Sequence, residues 1–247
     1  MTEATTLVLL HPFPLDAAFW EPVRGTLAGS RPVIAPDFPG LGSVPAAAPP
    51  TVDGAADALA DRIAREVPGG RAAVCGLSLG GYVALALAAR HPDRVAALVL
   101  ADTRAEPDTP EAAAGRHASA AEVRARGTDA FIDAFVPRLV APGAAEAAAA
   151  ARAIAERQSP EGVAGALEAL AGRADRRPDL AAIAAPTLVV VGAEDALTPP
   201  DRSEALAAAI PDAELVVIPG AGHLSALERP AEFAAAVDGF LARRAPA

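Results

Sequence analysis

Gly76-Leu77-Ser78-Leu79-Gly80 lies between a short apolar run, Ala72–Cys75, and an Ala-rich segment, Gly81–Arg90. The apolar run predicts a buried strand, and the Ala-rich segment predicts a helix that ends at His91-Pro92. A G-x-S-x-G sequence in this strand–turn–helix context places the serine on a sharp turn, with its hydroxyl projecting out of the fold. Glycines are expected on both sides of the serine because strand and helix pass too close there for side chains.

The composition fits one large α/β domain, or one such domain with an insertion. The chain has 247 residues, of which 52% are hydrophobic, so it can build a sizeable core without disulfides. Cys75 is the only cysteine, and on a predicted buried strand it is expected to be a small core residue. The formal net charge of −10 argues against nucleic acid and anionic membrane surfaces as partners, because both are negatively charged.

The N-terminal segment and the hydropathy pattern predict a cytoplasmic protein. Met1–Thr6 has no basic region before the first apolar run, so no signal peptide is predicted. No apolar stretch is long and pure enough to span a bilayer. We therefore expect a cytoplasmic protein without a membrane partner, and the sequence leaves its oligomeric state open.

The residue types that are missing narrow the possible chemistry. The chain has no lysine, which excludes Schiff-base chemistry and Ser–Lys dyads, so a general base must be His, Asp or Glu. There is no cysteine pair, and the histidines are scattered without the spacing of metal ligands, so we expect neither a metal nor a cofactor. The four histidines are His11, His91, His117 and His223.

Apolar runs alternate with Ala-rich helical stretches along the chain, a pattern typical of βαβ units and a parallel sheet. Most runs lack polar–apolar alternation, which indicates a sheet covered on both faces. The predicted strands are Thr6–Leu10, Pro32–Ala35, Ala72–Cys75, Val95–Leu100, Thr187–Val191 and Glu214–Ile218. The predicted helices are Phe19–Ala28, Val52–Glu66, Leu79–Arg90, Asp201–Ala209 and Pro230–Arg243.

The alternation is interrupted from about Arg104 to Asp179, where long Ala/Arg/Glu segments are broken by prolines. This stretch predicts several helices inserted between two strands. They could simply cover the core, but we favour a lid over a pocket, because the stretch leaves and rejoins the sheet on the side where ligands bind in open α/β folds. We predict a core of residues 1–103 and 180–247 and a helical lid over residues 104–179.

A serine hydroxyl is a weak nucleophile, so Ser78 requires a base, and the base requires an orienting acid. Val189–Val191 leads into Glu194-Asp195, and Val216–Ile218 leads into a Gly-rich loop that ends at His223. Both candidates therefore follow strands, at the edge of the sheet where Ser78 is expected, in the order serine, acid, histidine. We predict His223 as the general base and then acid, and Asp195 as the carboxylate that holds its tautomer.

Two other carboxylates compete with Asp195 for this role. Glu194 is adjacent to it but is expected to face away, and Asp102 follows the predicted strand Val95–Leu100. We favour Asp195 because it lies in a turn after the penultimate strand. For His223 the alternative is a histidine whose hydrogen bonds are satisfied within its own loop.

Catalysis at Ser78 also requires two backbone N–H groups aimed at the developing negative charge. Leu79 follows the serine directly and begins a helix, where the helix dipole favours an anion. The second donor is expected from the loop after the first strand, in which Pro12 and Pro14 have no N–H. We therefore predict that Phe13 and Leu79 form the oxyanion hole.

Taken together, these segments resemble the α/β-hydrolase superfamily along nearly the whole chain. The matching segments are His11–Pro14, Asp37–Ser43, the turn at Ser78, His91–Val95, Gly192–Asp195 and Gly222-His223. Within the superfamily, Cys75–Gly81 and Val99–Thr103 are similar to the enol-lactonase-like and small-ester hydrolase branches.

Two departures from the family pattern bear on the fold. The usual His-Gly of the oxyanion loop is His11-Pro12 here, and the chain reaches its first strand too early for the family's N-terminal antiparallel hairpin. We therefore predict an α/β fold with a mostly or wholly parallel six-stranded sheet flanked by helices. The predicted fold contains the inserted helical lid and lacks that hairpin.

The resemblance implies a serine hydrolase that cleaves a small carboxylic ester or lactone through an acyl-enzyme. One alternative uses the same triad on a carbon–carbon bond, or as a cofactor-free perhydrolase of the haloperoxidase type. Another is a non-catalytic ligand-binding protein on this fold. The sequence does not name the substrate, but an anionic lactone would need an arginine as its anchor, such as Arg104 or an arginine of the lid, because the chain has no lysine.

Overall fold

A six-stranded sheet lies at the centre of the protein, for which a computed structural model describes residues 4–45 and 50–245. The strands follow the order β2-β1-β3-β4-β5-β6, and each neighbouring pair is parallel. They are β1 (Leu7–Leu10), β2 (Val33–Ile34), β3 (Ala72–Leu77), β4 (Val95–Ala101), β5 (Thr187–Gly192) and β6 (Ala213–Ile218). All carboxyl ends therefore meet at one edge of the sheet.

Helices follow the strands and cover both faces of the sheet. Those of the core are α1 (Glu21–Ala28), α2 (Val52–Glu66), α3 (Leu79–Arg90), α8 (Pro200–Ala209), α9 (Ser225–Glu228) and α10 (Pro230–Arg244). Four more lie between β4 and β5, namely α4 (Pro110–Arg126), α5 (Asp129–Phe135), α6 (Ala145–Ala155) and α7 (Pro160–Ala171).

The strands are buried on both faces, as their continuous apolar sequences predict. Val8 and Val74 belong to one apolar cluster, which includes buried residues of α2 and α3. Leu9 and Cys75, one position further along the same strands, belong to a second cluster that includes buried residues of α1 and α10. Each fully buried aliphatic side chain contributes about 1.5–3 kcal/mol relative to an exposed one. Two apolar layers therefore hold the sheet, and the ends of its strands, in place.

The sheet is wholly parallel over the residues that the structure describes, as predicted. Ala4–Thr6 precede β1 without forming a strand. The prediction that the N-terminal hairpin is lacking also concerns Met1–Glu3, which lie outside the described residues. Among the described residues, β1 is the first strand of the sheet, and it leads directly to the predicted oxyanion loop.

Two predicted elements are each two residues shorter in the structure. The strand predicted over Pro32–Ala35 is confined to Val33–Ile34, because it lies at the edge of the sheet and Pro32 has no N–H to donate. The helix predicted over Phe19–Ala28 is preceded by a 3-10 turn, Ala17–Trp20, which begins where the Asp16 side chain accepts a hydrogen bond from the Ala18 N–H.

The segment between β4 and β5 is bonded both to itself and to the core. Arg124 on α4 donates to Glu161 and Glu168 on α7, which holds these two helices together. Gln158 donates to Asp16 at 2.9 Å and accepts the N–H of Gly42 at 2.8 Å. The end of α6 and the start of α7 are therefore anchored to two loops at the carboxyl edge of the sheet.

Candidate active site

Ser78 occupies the turn between β3 and α3 in a backbone conformation that non-glycine residues rarely adopt. Its φ and ψ are 54° and −109°. Its N–H donates to the Ala101 carbonyl at 2.9 Å, and the Thr103 hydroxyl donates to its carbonyl at 3.0 Å. Hydrogen bonds to the end of β4 thus hold the strained residue in place.

Close packing of β3, α3 and β1 explains the two glycines of the motif. A Cβ on Gly76 would lie 2.1 Å from the Gly80 carbonyl oxygen, and one on Gly80 would lie 2.0 Å from the Leu10 carbonyl oxygen. Both contacts are with backbone atoms, which cannot rotate away. The start of α3 can therefore approach the ends of both strands only without side chains at these positions.

Gly80→Ala is expected to lower the free energy of unfolding by about 3 kcal/mol or more, because β1 and α3 would have to separate. The matched control is Gly25→Ala in α1, where a Cβ meets nothing within 4 Å. That variant should gain about 0.5–1 kcal/mol from its helix propensity. Urea unfolding followed by circular dichroism measures both values, and equal stability of the two variants would contradict the close approach.

The structure brings Ser78, His223 and Asp195 together at the carboxyl edge of the sheet. His223 Nε2 lies 2.8 Å from Ser78 Oγ, and His223 Nδ1 lies 2.8 Å from Asp195 Oδ2. The three residues follow β3, β6 and β5, respectively. This geometry corresponds to an imidazole whose Nδ1–H donates to the carboxylate while Nε2 accepts the serine proton.

Asp195 is held as a carboxylate by its own turn. Its Oδ1 accepts the N–H groups of Leu197 and Thr198 at 2.8 and 2.9 Å, and the Thr198 hydroxyl donates to Oδ2 at 2.6 Å. Burial acts to raise the pKa of Asp195, but the hydrogen bond and charge of His223 and the bonds from Thr198 outweigh it and lower this pKa. The sequence analysis gave Thr198 no role, although an Asp side chain that accepts the N–H two residues on, as Asp195 does from Leu197, is a known turn signal.

His223 is buried beside that carboxylate. Burial alone would lower the pKa of His223, but its hydrogen bond to Asp195 and the Asp195 charge, with smaller contributions from Asp102 and Glu228, raise this pKa above 6.5. The protonated imidazole is therefore more stable here than in a free histidine. Such a shift suits a base that must hold a proton temporarily.

The competing acids are placed elsewhere. Asp102 is fully buried and accepts hydrogen bonds from the Gly192 N–H at 2.9 Å and from the Ser225 N–H and hydroxyl, not from His223. Burial, together with the Asp195 charge, raises the pKa of Asp102 to about 8. Glu194 is exposed. Asp102 thus links the loops that carry Asp195 and His223 without contacting the imidazole itself.

The two predicted oxyanion donors have free N–H groups. Within residues 4–45 and 50–245, no acceptor is bonded to the Phe13 N–H, and the Leu79 N–H, at the first position of α3, has no partner inside the helix. His11 supports the Phe13 loop, because its Nε2 accepts the Phe38 N–H at 3.1 Å and its Nδ1 contacts the Pro12 carbonyl at 3.1 Å. Burial lowers the pKa of His11, which keeps the ring neutral for both bonds.

A cavity of about 470 Å³ extends from Ser78 and His223. One wall is aromatic: the Phe13 ring lies 5.8 Å from Phe131 and 5.7 Å from Phe135, measured between centroids. Because Phe131 and Phe135 belong to α5, the inserted segment forms part of the cavity that Ser78 and His223 line. Helices α4 and α7 contribute further lining residues.

The described part of the chain offers no metal centre and no transmembrane helix. No group of three or more His, Cys, Asp and Glu side chains among residues 4–45 and 50–245 could hold a metal ion. None of the described helices combines the length and the apolar character needed to cross a membrane.

Sequence comparison now places this geometry in a family. A sequence model described as "Alpha/beta hydrolase family" matches residues 7–236. The chain belongs to the α/β-hydrolase family. The match spans the Phe13 loop, the turn at Ser78, Asp195 and His223, which confirms the resemblance drawn from the sequence motifs and the predicted fold.

Several α/β-hydrolases are similar over nearly the whole chain. The pimeloyl-[acyl-carrier protein] methyl ester esterase of Neisseria meningitidis serogroup A is 36% identical over 256 residues, covering 94% of this chain and 75% of that protein. A thermophilic esterase from Thermogutta terrifontis, solved with malate bound, has a TM-score of 0.93 and 37% identity, covering 98% of this chain and 91% of that one. The enol-lactonase from Burkholderia xenovorans LB400 has a TM-score of 0.88 and 32% identity, covering 98% and 92%. The chain is thus a hydrolase of this fold.

Proposed function

We propose that the protein hydrolyses small carboxylic esters or lactones through an acyl-enzyme on Ser78. The observation that carries this proposal is the 2.8 Å contact of His223 with both Ser78 Oγ and Asp195 Oδ2. A non-catalytic ligand-binding protein has no need of a strained serine with a base at hydrogen-bond distance. The esterases and the enol-lactonase among the relatives are named for ester and lactone substrates, which supports the same reaction class.

In the acylation half of this mechanism, Ser78 Oγ attacks the substrate carbonyl carbon while His223 Nε2 takes the hydroxyl proton. The carbonyl oxygen becomes an oxyanion, which the N–H groups of Phe13 and Leu79 bind. When the tetrahedral intermediate collapses, the bond to the leaving oxygen breaks and His223 donates its proton to that oxygen. An alcohol departs from an ester, whereas the alcohol of an opened lactone stays attached to the acyl group.

Deacylation repeats these steps with water in place of the serine. His223 takes a proton from the water, whose oxygen attacks the acyl carbon, and the same two N–H groups hold the oxyanion. The proton then returns to Ser78 Oγ and the carboxylic acid leaves. Asp195 stabilises the imidazolium in both halves, and each oxyanion donor lowers the barrier by about 3–4 kcal/mol.

We further propose that residues 104–179 act as a lid that shapes the acyl pocket. Helix α5 supplies Phe131 and Phe135, which stack with centroids 5.2 Å apart beside Phe13. This aromatic wall adjoins the oxyanion loop, so it can bind the hydrocarbon part of a substrate whose carbonyl lies at Ser78. Gln158 bonds the lid to the same loop through Asp16, which supports a fixed wall at this point.

The pH profile should follow the titration of His223. Only the neutral imidazole can accept the Ser78 proton, and the Asp195 charge raises the pKa of His223 above 6.5. We therefore expect kcat/KM to fall as the pH drops through a midpoint above that of a free histidine. Initial rates with 4-nitrophenyl acetate between about pH 5 and 9 measure this midpoint. An acid limb centred below the pKa of a free histidine would contradict the role of His223 as the base.

Substrate panels distinguish the proposed reaction from its alternatives. We expect turnover of 4-nitrophenyl esters with short acyl chains, of simple lactones, or of both. The same preparation is assayed with β-diketones, and with hydrogen peroxide plus acetate, to test the carbon–carbon hydrolase and perhydrolase alternatives. Turnover of a β-diketone without turnover of any ester or lactone would overturn the proposal.

A further inference from the structure

The cavity at Ser78 is positively charged, although the whole chain carries a formal net charge of −10. Besides His223, its charged lining residues are Arg104, Arg116, Arg138 and one carboxylate, Asp108. Three guanidinium groups facing one carboxylate leave an excess of two positive charges. In a partly enclosed cavity such an excess attracts anions more strongly than it would in open water.

Asp108 is shared among three arginines and cannot satisfy them all. Its side chain is only 1% exposed and contacts Arg104 at 3.0 Å, Arg116 at 2.5 Å and Arg173 at 2.9 Å. A carboxylate offers about four acceptor positions, whereas each guanidinium carries five N–H donors. Surplus donors therefore remain on the arginines that reach the cavity.

The three arginines around Asp108 differ in how completely they are bonded. Arg173 is 2% exposed, donates to the Glu106 and Leu170 carbonyls and lies 4.4 Å from the centroid of the Tyr82 ring, so it is a structural residue. The side chains of Arg104 and Arg116 are 25% and 24% exposed, and within the described part of the chain each has a single carboxylate partner. The Nε of Arg104 is buried and has no hydrogen-bond partner among the same residues.

Arg138 adds a third cation to this cavity. It ends the short 3-10 helix Val136–Arg138 and is exposed. It has no ion pair with any residue in the described ranges 4–45 and 50–245, whereas Arg124, on the outer side of α4, binds two glutamates. An unpaired arginine beside the paired Arg104 and Arg116 leaves the cavity able to hold a further anion.

Building on the proposed ester hydrolysis, we propose that Arg104 and Arg116, with Arg138, bind a carboxylate carried by the substrate itself. Arg104 and Arg116 already bind the Asp108 carboxylate, and their planar donors suit a second group of the same shape. The aromatic wall of Phe131 and Phe135 holds the hydrocarbon between that carboxylate and the reacting carbonyl. The substrate class is therefore a short aliphatic ester or lactone with a free carboxylate.

The test compares substrates that differ only in charge. Monomethyl adipate is paired with the methyl ester of adipic acid monoamide, which places the anion on the acyl side. The acetate ester of 4-hydroxybutanoate is paired with that of 4-hydroxybutanamide, which places it on the leaving-group side. In at least one pair, the wild-type protein should favour the carboxylate by about 10-fold or more in kcat/KM.

Arginine variants test whether the preference for the carboxylate substrate comes from the arginines that line the cavity. Arg116→Gln should reduce the carboxylate-to-amide ratio by about 10-fold or more, and Arg104→Gln should act in the same direction. Arg126→Gln removes an exposed guanidinium of α4 that does not line the cavity and is paired with Glu122 of the same helix, so it should leave the ratio unchanged. Removing Arg104 or Arg116 leaves the buried Asp108 carboxylate with one partner fewer, which can destabilise the fold. Arg138→Gln avoids this effect because Arg138 is exposed and does not pair with Asp108. For this variant we expect a smaller reduction of the carboxylate-to-amide ratio.

The outcomes separate this inference from the proposed function. If the amides are hydrolysed as fast as the carboxylates in both pairs, the carboxylate site is wrong while ester hydrolysis stands. If no ester or lactone is hydrolysed, the proposed function fails, and binding of adipate by calorimetry still tests the site. Adipate that binds the wild type no more tightly than adipamide, or equally tightly after Arg116→Gln, would overturn it.

Discussion

Ser78→Ala is expected to lower kcat/KM by at least about 10³-fold for every ester or lactone that the wild-type protein hydrolyses. Alanine removes the nucleophile that lies 2.8 Å from His223 Nε2, so no acyl-enzyme can form. The remaining groups can only bind substrate and polarise its carbonyl. Initial rates with 4-nitrophenyl esters measure the loss.

Ser119→Ala is the matched control for that substitution. Ser119 lines the same cavity, and its hydroxyl has no contact with His223 among the described residues. We expect less than about a 3-fold change in kcat/KM, and thermal unfolding within a few degrees of the wild type for both variants. Similar activity losses in the two variants would mean that the cavity, rather than an activated Ser78, determines the rate.

Asp195→Asn is expected to reduce kcat by about 10³–10⁴-fold. The amide cannot stabilise the imidazolium, and its NH2 group can favour the wrong tautomer of His223. The Asp195 charge also raises the pKa of His223, so the acid limb of any residual activity should move to lower pH. Rates across the pH range measure both the fall in kcat and the shift of the acid limb. Only the loss of the negative charge beside His223 predicts the shift of the acid limb.

Asp102→Asn separates the two candidate acids. Burial raises the pKa of Asp102, so a neutral amide should be tolerated better here than at Asp195, whose pKa is lowered. We expect less than about a 10-fold loss in kcat/KM, because Asp102 bonds Gly192 and Ser225 rather than His223. A larger loss than that of Asp195→Asn would transfer the role of acid to Asp102.

The strands were predictable because a parallel sheet buries both faces, so each strand is a continuous apolar run. Strand β3 illustrates this: predicted over Ala72–Cys75, it continues to Leu77, directly before the turn at Ser78. The short extent of β2 was not predicted. It depends on the position of that strand at the sheet edge, which comes from strand order rather than from local sequence.

The association of Ser78, Asp195 and His223 was also predictable, because each follows an apolar run and parallel strands end at one edge. What the sequence left open was the choice between acids. Asp102 also ends a strand, and only its hydrogen bonds to Gly192 and Ser225 show that it faces away from the imidazole. The choice between Asp195 and Asp102 depends on the directions of side chains beyond the ends of the strands, where the regular alternation of a strand no longer predicts them.

The cavity wall was the least predictable part of the site. Asp108 and Arg173 meet across the inserted helices, and Arg116 reaches Asp108 from α4. These contacts depend on how helices that are far apart in sequence pack on one another. The sequence pointed to Arg104 or an arginine of the lid as the anchor for an anion, but periodicity alone does not show that Arg116 and Arg138 are the lid arginines that reach the cavity.

Reaction of the wild-type protein with a fluorophosphonate probe, followed by peptide mapping, tests the activated serine most directly. We expect one adduct per chain, at Ser78, with labelling that falls sharply in His223→Ala and is blocked by a slowly hydrolysed ester. We expect no labelling of Ser119 in the same cavity. An ester-hydrolysing preparation whose Ser78 stays unlabelled, or whose adduct maps to another residue, would contradict the proposal that Ser78 is the nucleophile.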